Sequence, residues 1–202
     1  LERRADLYFA LYLPEVLEAK LRVPIYPGLV PEFPARIGTL YPDEKTNKSY
    51  KIDYVALSAA RDQAILVELK TDARSRRLEQ DKYLLAAQKA GFHTLLEGLL
   101  EIFRATKAKQ KYGCLLEYLA QLGMLRLPDA MRAIMARPSL RGITAASQQV
   151  EILVDPPETL VVYVQPHGEG STVIPFHDFA EVVRHHEDAV SQRFARSLRR
   201  WA

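Results

Sequence analysis

The chain predicts an α/β fold, a mixed central sheet flanked by helices, and three observations carry that prediction. First, none of the twelve prolines falls between residues 43 and 127, so the middle can hold unbroken strands and long helices. Second, Tyr50–Ser58 and Gln63–Lys70 are consecutive strand-like runs, rich in apolar and β-branched residues. Third, helical patterns precede and follow them, and further strand runs return at Val150–Val154, Leu160–Gln165 and Val173–Ile174.

Taken in order, residues 4–21 read as a helix with Leu7, Leu11, Val16 and Leu17 as its apolar stripe, kinked or split at Pro14. Pro24–Pro34 reads as an extended connector, and Arg36–Tyr41 as a short first strand. Asp43-Glu44-Lys45-Thr46-Asn47-Lys48 is a polar turn. After the two central strands, Asp72 is a good N-cap for a helix from Ala73 to Ala90, with Gly91 as its stop. Thr94 caps a second helix with Leu95, Leu96, Leu99, Ile102 and Phe103 on its apolar face. Leu115–Leu125 and Asp129–Ala136 are further helices, Val173–Ile174 is a brief edge strand, and a last helix runs from about His177 to Arg200. No repeat or linker interrupts the 202 residues, which are enough for one domain with a sizeable core.

Composition narrows the function classes. A hydrophobic content of 48% with 26% charged residues is that of an ordinary soluble globular protein. The net charge of +3 implies no strong global pull on nucleic acid, so any such surface must come from local clusters. The single cysteine excludes an intrachain disulfide and a cysteine zinc site, and Gly113-Cys114-Leu115-Leu116 predicts a core position for it. Apolar runs such as Leu7–Leu13 are too short to span a membrane. That run follows Glu2-Arg3-Arg4, but Asp6 interrupts it and no small-residue cleavage site follows, so a cytoplasmic location is the default. The missing initiator methionine points to a removed or processed N-terminus. Oligomeric state is left open, homo-oligomers included.

The chemistry concentrates on the two central strands. Along Ala64-Ile65-Leu66-Val67-Glu68-Leu69-Lys70, Glu68 and Lys70 share one face, while Ile65, Val67 and Leu69 share the other. An acid and a lysine ending an apolar strand are costly to bury without partners. A hairpin loop of Ala60-Arg61, or of Ala59 to Asp62, sets Asp53 opposite Glu68, with β-carbons about 4.5–5.5 Å apart. Carboxylates that close repel unless a cation lies between them or one is protonated. A loop centred on Arg61-Asp62 instead pairs Asp53 with Lys70. Ala-Arg is a poor primed-turn sequence, which favours the four-residue loop.

Asp53, Glu68-x-Lys70 and a following helix rich in Arg and Gln resemble the PD-(D/E)xK nuclease superfamily over roughly residues 40–90. The resemblance implies a restriction-endonuclease-like core with a helical insertion at about 92–146. It implies an endonuclease that hydrolyses DNA phosphodiesters with Mg²⁺ or Mn²⁺, an RNA-directed nuclease being an alternative. Asp53 and Glu68 become metal ligands, the Leu69 carbonyl a further ligand, and Lys70 the catalytic lysine. Ile52 rather than proline precedes Asp53, a departure from the name of the motif. The literal Pro42-Asp43 lies in the polar turn. A second metal needs another carboxylate, for which Glu15 and Glu18 on the first helix are the candidates.

Further binding candidates lie on the next helix. Arg74, Arg76 and Arg77 oppose the macrodipole at its N-terminus, and a phosphate would offset that. Asp72, Glu79 and Asp81 offer the simpler balance of a solvated face. Gln80 is a candidate phosphate or water contact, whereas Tyr83 reads as packing. Lys107, Lys109 and Lys111, and Arg193, Arg196, Arg199 and Arg200, read first as basic helix ends. His185 and His186 are adjacent and cannot chelate from one helix face. The competing reading of the central motif is a plain cross-strand ion pair, Asp53–Lys70 or Glu68–Lys51. On that reading the protein is a catalytically inactive nucleic-acid-binding or assembly module.

Overall fold

A computed structural model describes residues 2–71 and 78–202, with side chains from Asp6 onward. The chain forms an α/β structure around a five-stranded mixed sheet in the order β1-β2-β3-β6-β7. The strands are β1 (Val30–Arg36), β2 (Ser49–Leu57), β3 (Gln63–Leu69), β6 (Glu158–Gln165) and β7 (Val173–Pro175). Strands β1, β2 and β3 are antiparallel neighbours, and β3, β6 and β7 are parallel ones. A separate two-stranded sheet pairs β4 (Leu125–Arg126) with β5 (Glu151–Ile152).

Helices cover both faces. Leu66 of β3 and Val55 of β2 join a core with α3 (Leu78–Ala90), α4 (Phe92–Ala105) and α5 (Lys109–Gln121). Ile65 and Val67 face the other way, toward α1 (Glu2–Leu21), α8 (Phe176–Val183) and α9 (Ala189–Trp201). Period-2 alternation therefore divides β3 between two cores, which is why its apolar run is nearly continuous. The remaining short helices are α2 (Ile37–Leu40), α6 (Asp129–Met135) and α7 (Ile143–Ala146).

The β2–β3 register is the one a four-residue loop sets. Tyr54 pairs with Val67, Val55 with Leu66, Ala56 with Ile65 and Leu57 with Ala64. The loop is built to hold it. Ser58 Oγ accepts from the Asp62 and Gln63 backbone N–H groups (3.1 and 3.0 Å) and donates to Asp62 Oδ1 (2.6 Å). Arg61, at φ +60°, donates to the carbonyls of Gly123 (2.7 Å) and Leu122 (3.1 Å), which ties the loop to the end of α5.

Several expected boundaries shift, each for a physical reason. The first strand is Val30–Arg36, beginning inside the expected connector and ending where the expected strand was to start, and Ile37–Leu40 is helical. Pro31 and Pro34 are compatible with β1 because it is a sheet edge, and the opposite edge, β7, ends in Pro175. Pro14 does not split α1, which is one helix of 20 residues with Pro14 inside it. The buried stripe of α1 is Phe9, Tyr12, Leu13, Val16 and Leu17, whereas Leu7 and Leu11 are 77% and 65% exposed. Phe9 packs against Phe176, Phe179 and Phe194, and this aromatic cluster sets which face of α1 is inside.

Helix α4 begins at Phe92, so Thr94 lies within its first turn, and Leu95, Leu96, Leu99, Ile102 and Phe103 are buried as expected. The expected Leu115–Leu125 helix starts earlier and ends at Gln121, leaving Leu125 to pair in β4. Cys114 is exposed, not in the core, because Gly113, Leu116 and Leu119 form the buried side of α5. Lys109 Nζ donates to the carbonyls of Phe103 and Arg104 and so closes the C-terminal end of α4. The expected last helix is two, and Asp188 restarts it as α9 by accepting from the Val190 and Ser191 N–H groups, each 3.0 Å away. Among the described residues, no helix is long and apolar enough to cross a membrane.

Candidate active site

The site forms where β2 and β3 part company. The regular pairing ends at Tyr54–Val67, and the next N–H of β3 on that side, Leu69, donates to the Asp53 side chain at Oδ2 (2.8 Å). A carboxylate thus replaces a backbone acceptor, anchoring Asp53 in the gap between the strands. Beyond it the Lys70 N–H bonds to the Val164 carbonyl of β6 (2.7 Å). A planar trans peptide points its C=O opposite to its N–H, so the Leu69 carbonyl turns to the β2 side, where Asp53 lies.

Glu68 and Lys70 project from β3 and its end toward α3 and are almost fully buried, at 2% and 5% exposure. Lys70 Nζ donates to Glu68 Oε1 and to Gln80 Oε1 on α3, both at 2.7 Å. Gln80 Nε2 closes the triangle by donating to Glu68 Oε1 (3.1 Å). Tyr83, one turn further along α3, donates to the Lys51 carbonyl (3.2 Å) and approaches Glu68 Oε2 (3.5 Å). Its ring stacks on Tyr50 at 4.5 Å and 6°. Each side chain of this buried group is hydrogen-bonded to another or to the backbone.

Asp53, Glu68, Leu69, Lys70 and Gln80 all line one cleft of about 500 Å³. Burial, and the charges of Asp6 and Glu32, push the Asp53 carboxyl above its ordinary range, against the pull of the Leu69 N–H and Lys70. Burial and then Asp53 raise Glu68, with Lys70 and Tyr83 holding it down. Burial and the nearby carboxylates Glu68 and Asp53 also raise the Tyr83 hydroxyl, which stays a donor at neutral pH.

Two carboxylates that burial pushes above their ordinary range, one of them raised further by the other, lie beside a carbonyl turned toward Asp53 and form a hard-oxygen donor set suited to Mg²⁺ or Mn²⁺. Among the described residues no hydrogen bond reaches Asp53 Oδ1. Nor do any three His, Cys, Asp or Glu side chains among them gather closely enough to hold an ion by themselves. A bound ion would therefore draw on the Leu69 carbonyl and water as well.

Neither Glu15 nor Glu18 lines this cleft. Glu15 is 2.7 Å from His186 Nε2, and Glu18 accepts from the Ile25 N–H (2.8 Å) beyond the end of α1. The lining acids that sequence reasoning missed are Asp6 of α1 and Glu32 of β1. Asp6 precedes Ala10 by one helical turn, and both reach the cleft, a placement that only the fold reveals. Glu32, at φ +48° on an edge strand, carried no signal in the sequence either. Tyr83 was also missed as a site neighbour, since its aromatic ring reads as packing and is in fact buried. Arg74, Arg76 and Arg77 lie outside the described residues. No protein-family model matches the chain, and no curated protein or solved structure matches it significantly.

Proposed function

We propose that the protein is a divalent-metal-dependent nuclease of the PD-(D/E)xK kind, hydrolysing phosphodiester bonds in DNA on a restriction-endonuclease-like core. The observation that carries this reading is the meeting of Asp53, Glu68 and Lys70 in one cleft at the parting of two strands. Asp53 and Glu68 would hold Mg²⁺ or Mn²⁺ with the Leu69 carbonyl. The bound ion supplies Lewis acidity to a phosphate and lowers the pKa of a bound water. Lys70 supplies a positive charge at the site of the developing negative charge, with Gln80 keeping its ammonium in place. Tyr83 and the Leu69 N–H orient the two carboxylates.

One observation favours a second reading, an inactive module that binds nucleic acid or partners. Glu68 Oε1 already accepts from both Lys70 and Gln80, a self-satisfied arrangement that holds without a cation. Nicking of supercoiled plasmid in Mg²⁺ or Mn²⁺, alongside a Mn²⁺ titration, separates the two. The nuclease reading expects nicking that EDTA stops, Mn²⁺ binding abolished in Asp53→Asn, and nicking abolished in Lys70→Ala with Mn²⁺ binding retained. Equal nicking by wild type and Lys70→Ala rejects the catalytic lysine. Absence of Mn²⁺ binding to the wild type favours the module.

A further inference from the structure

A second groove opens beside the acidic cleft. It has a volume of about 510 Å³ and shares Ala10, Pro31 and Tyr54 with the cleft, so the two adjoin. Its own walls are Pro27, Leu29, Leu115, Tyr118 and the exposed Cys114, and among the described residues no charged side chain lines it. Both tyrosine hydroxyls are turned to the protein. Tyr118 donates to the Leu29 carbonyl (2.8 Å) and Tyr54 to the Asp6 carbonyl (2.9 Å). What these residues offer the groove is ring and aliphatic surface. Leu7, exposed on the neighbouring helix, adds apolar surface to the lining of the cleft.

Phosphates do not enter a groove without cations, and apolar contact is what a nucleobase seeks once it has left its stack. We propose that this groove receives an unpaired base next to a phosphate that a metal ion at Asp53 and Glu68 would hold, and that the substrate is single-stranded DNA or an unpaired end. This rests on the nuclease reading and names its substrate class. In an intact duplex each base is stacked and paired, and placing one in the groove costs unstacking; a single strand has no such cost. Proline, leucine and tyrosine walls touch any base equally well, so the groove selects strandedness rather than sequence.

The test compares three fluorescein-labelled ligands on the wild-type protein with Mn²⁺, read by anisotropy within seconds of mixing. These are (dT)12, an abasic strand of the same length, and a 12-base-pair duplex. The expected result is (dT)12 bound about ten-fold more tightly than either of the others, the range in which base–aromatic stacking operates. Cys114, the sole cysteine, reports the place: (dT)12 should slow its reaction with a thiol reagent at least three-fold, and the duplex should not. Leu115→Trp, which fills the groove, should remove the preference for (dT)12 and leave Mn²⁺ affinity unchanged. Equal binding of strand and abasic strand, a preference for duplex, or no binding of any ligand overturns the proposal. So does a dimer by light scattering in which a second copy shields Cys114. Mn²⁺ binding and nicking that persist without a base preference count against this inference alone. Failure of the wild type to bind Mn²⁺ counts against the nuclease reading.

Discussion

Replacing Lys70 with methionine removes the ammonium 2.7 Å from Glu68 Oε1 and keeps most of the side-chain volume. Glu68, 2% exposed, is then left as a buried carboxylate without its cation. Breaking a buried pair from one side costs about 3–5 kcal/mol. Gln80 Nε2 and the Tyr83 hydroxyl still donate, which puts the expected destabilisation at the lower end, about 3 kcal/mol at pH 8. For a chain of this size that is a fall in Tm of roughly 6–12 °C. The pH dependence has a definite sign. Glu68 already ionises above its ordinary range, and removal of Lys70 raises it further. The unfolded Glu68 is common to both proteins, so the deficit of the variant is small wherever Glu68 is protonated in both folded states. It grows as pH rises from the wild-type folded value, itself above the ordinary carboxylate range, toward the higher value of the variant. Urea unfolding at pH 5 and pH 8 reads this directly. The double variant Glu68→Gln/Lys70→Met, with both charges gone, should lie within about 1 kcal/mol of wild type at both pH values. A destabilisation below about 1 kcal/mol in Lys70→Met at pH 8, or the same destabilisation at pH 5, would refute the reasoning. Either would mean that water reaches the pair.

Because both site carboxylates ionise above their ordinary range, protons compete with metal, and Mn²⁺ affinity should fall steadily from pH 8 to pH 5.5. A pH-independent affinity by calorimetry would locate the ion elsewhere. Replacing Arg74, Arg76 and Arg77 together with Gln should flatten the salt dependence of DNA binding. The change is about 0.9 in log K per unit of log salt for each duplex phosphate that is no longer neutralised, or about 0.7 for a single strand. An unchanged slope would direct attention to Arg193, Arg196 and Arg200 of α9. Pro14→Ala should stabilise the protein by about 1–3 kcal/mol, since it restores an N–H inside a continuous helix; a destabilised variant would show that the ring's packing outweighs the missing bond.

What the sequence by itself determined is local. The β2–β3 register follows from the favoured four-residue loop and a side-chain period of two, both of which operate over fewer than about twenty residues, although the pairing ends at Tyr54–Val67, one step short of Asp53 and Glu68. The same period put Glu68 and Lys70 on one side of β3, and helix periodicity found the apolar face of α4. The tertiary structure decided whatever depends on which element lies next to which. Pro31 and Pro34 can be strand residues only because β1 is an edge, a property of sheet order rather than of any window of sequence. Leu7 and Leu11 are outside, and Phe9 inside, because the aromatic rings of α8 and α9 claim the other side of α1. Cys114 is exposed because α5 turns Gly113 and Leu116 inward. Asp6 and Glu32 join Asp53 from elements with no spacing relation to it, so no motif could name them. The Lys70–Gln80 bond, reaching from the end of β3 to α3, depends on how α3 lies over the sheet. A strand or turn is set by contacts within reach of one short segment. A cleft is set by the packing of several distant ones, and that information is spread over the whole chain.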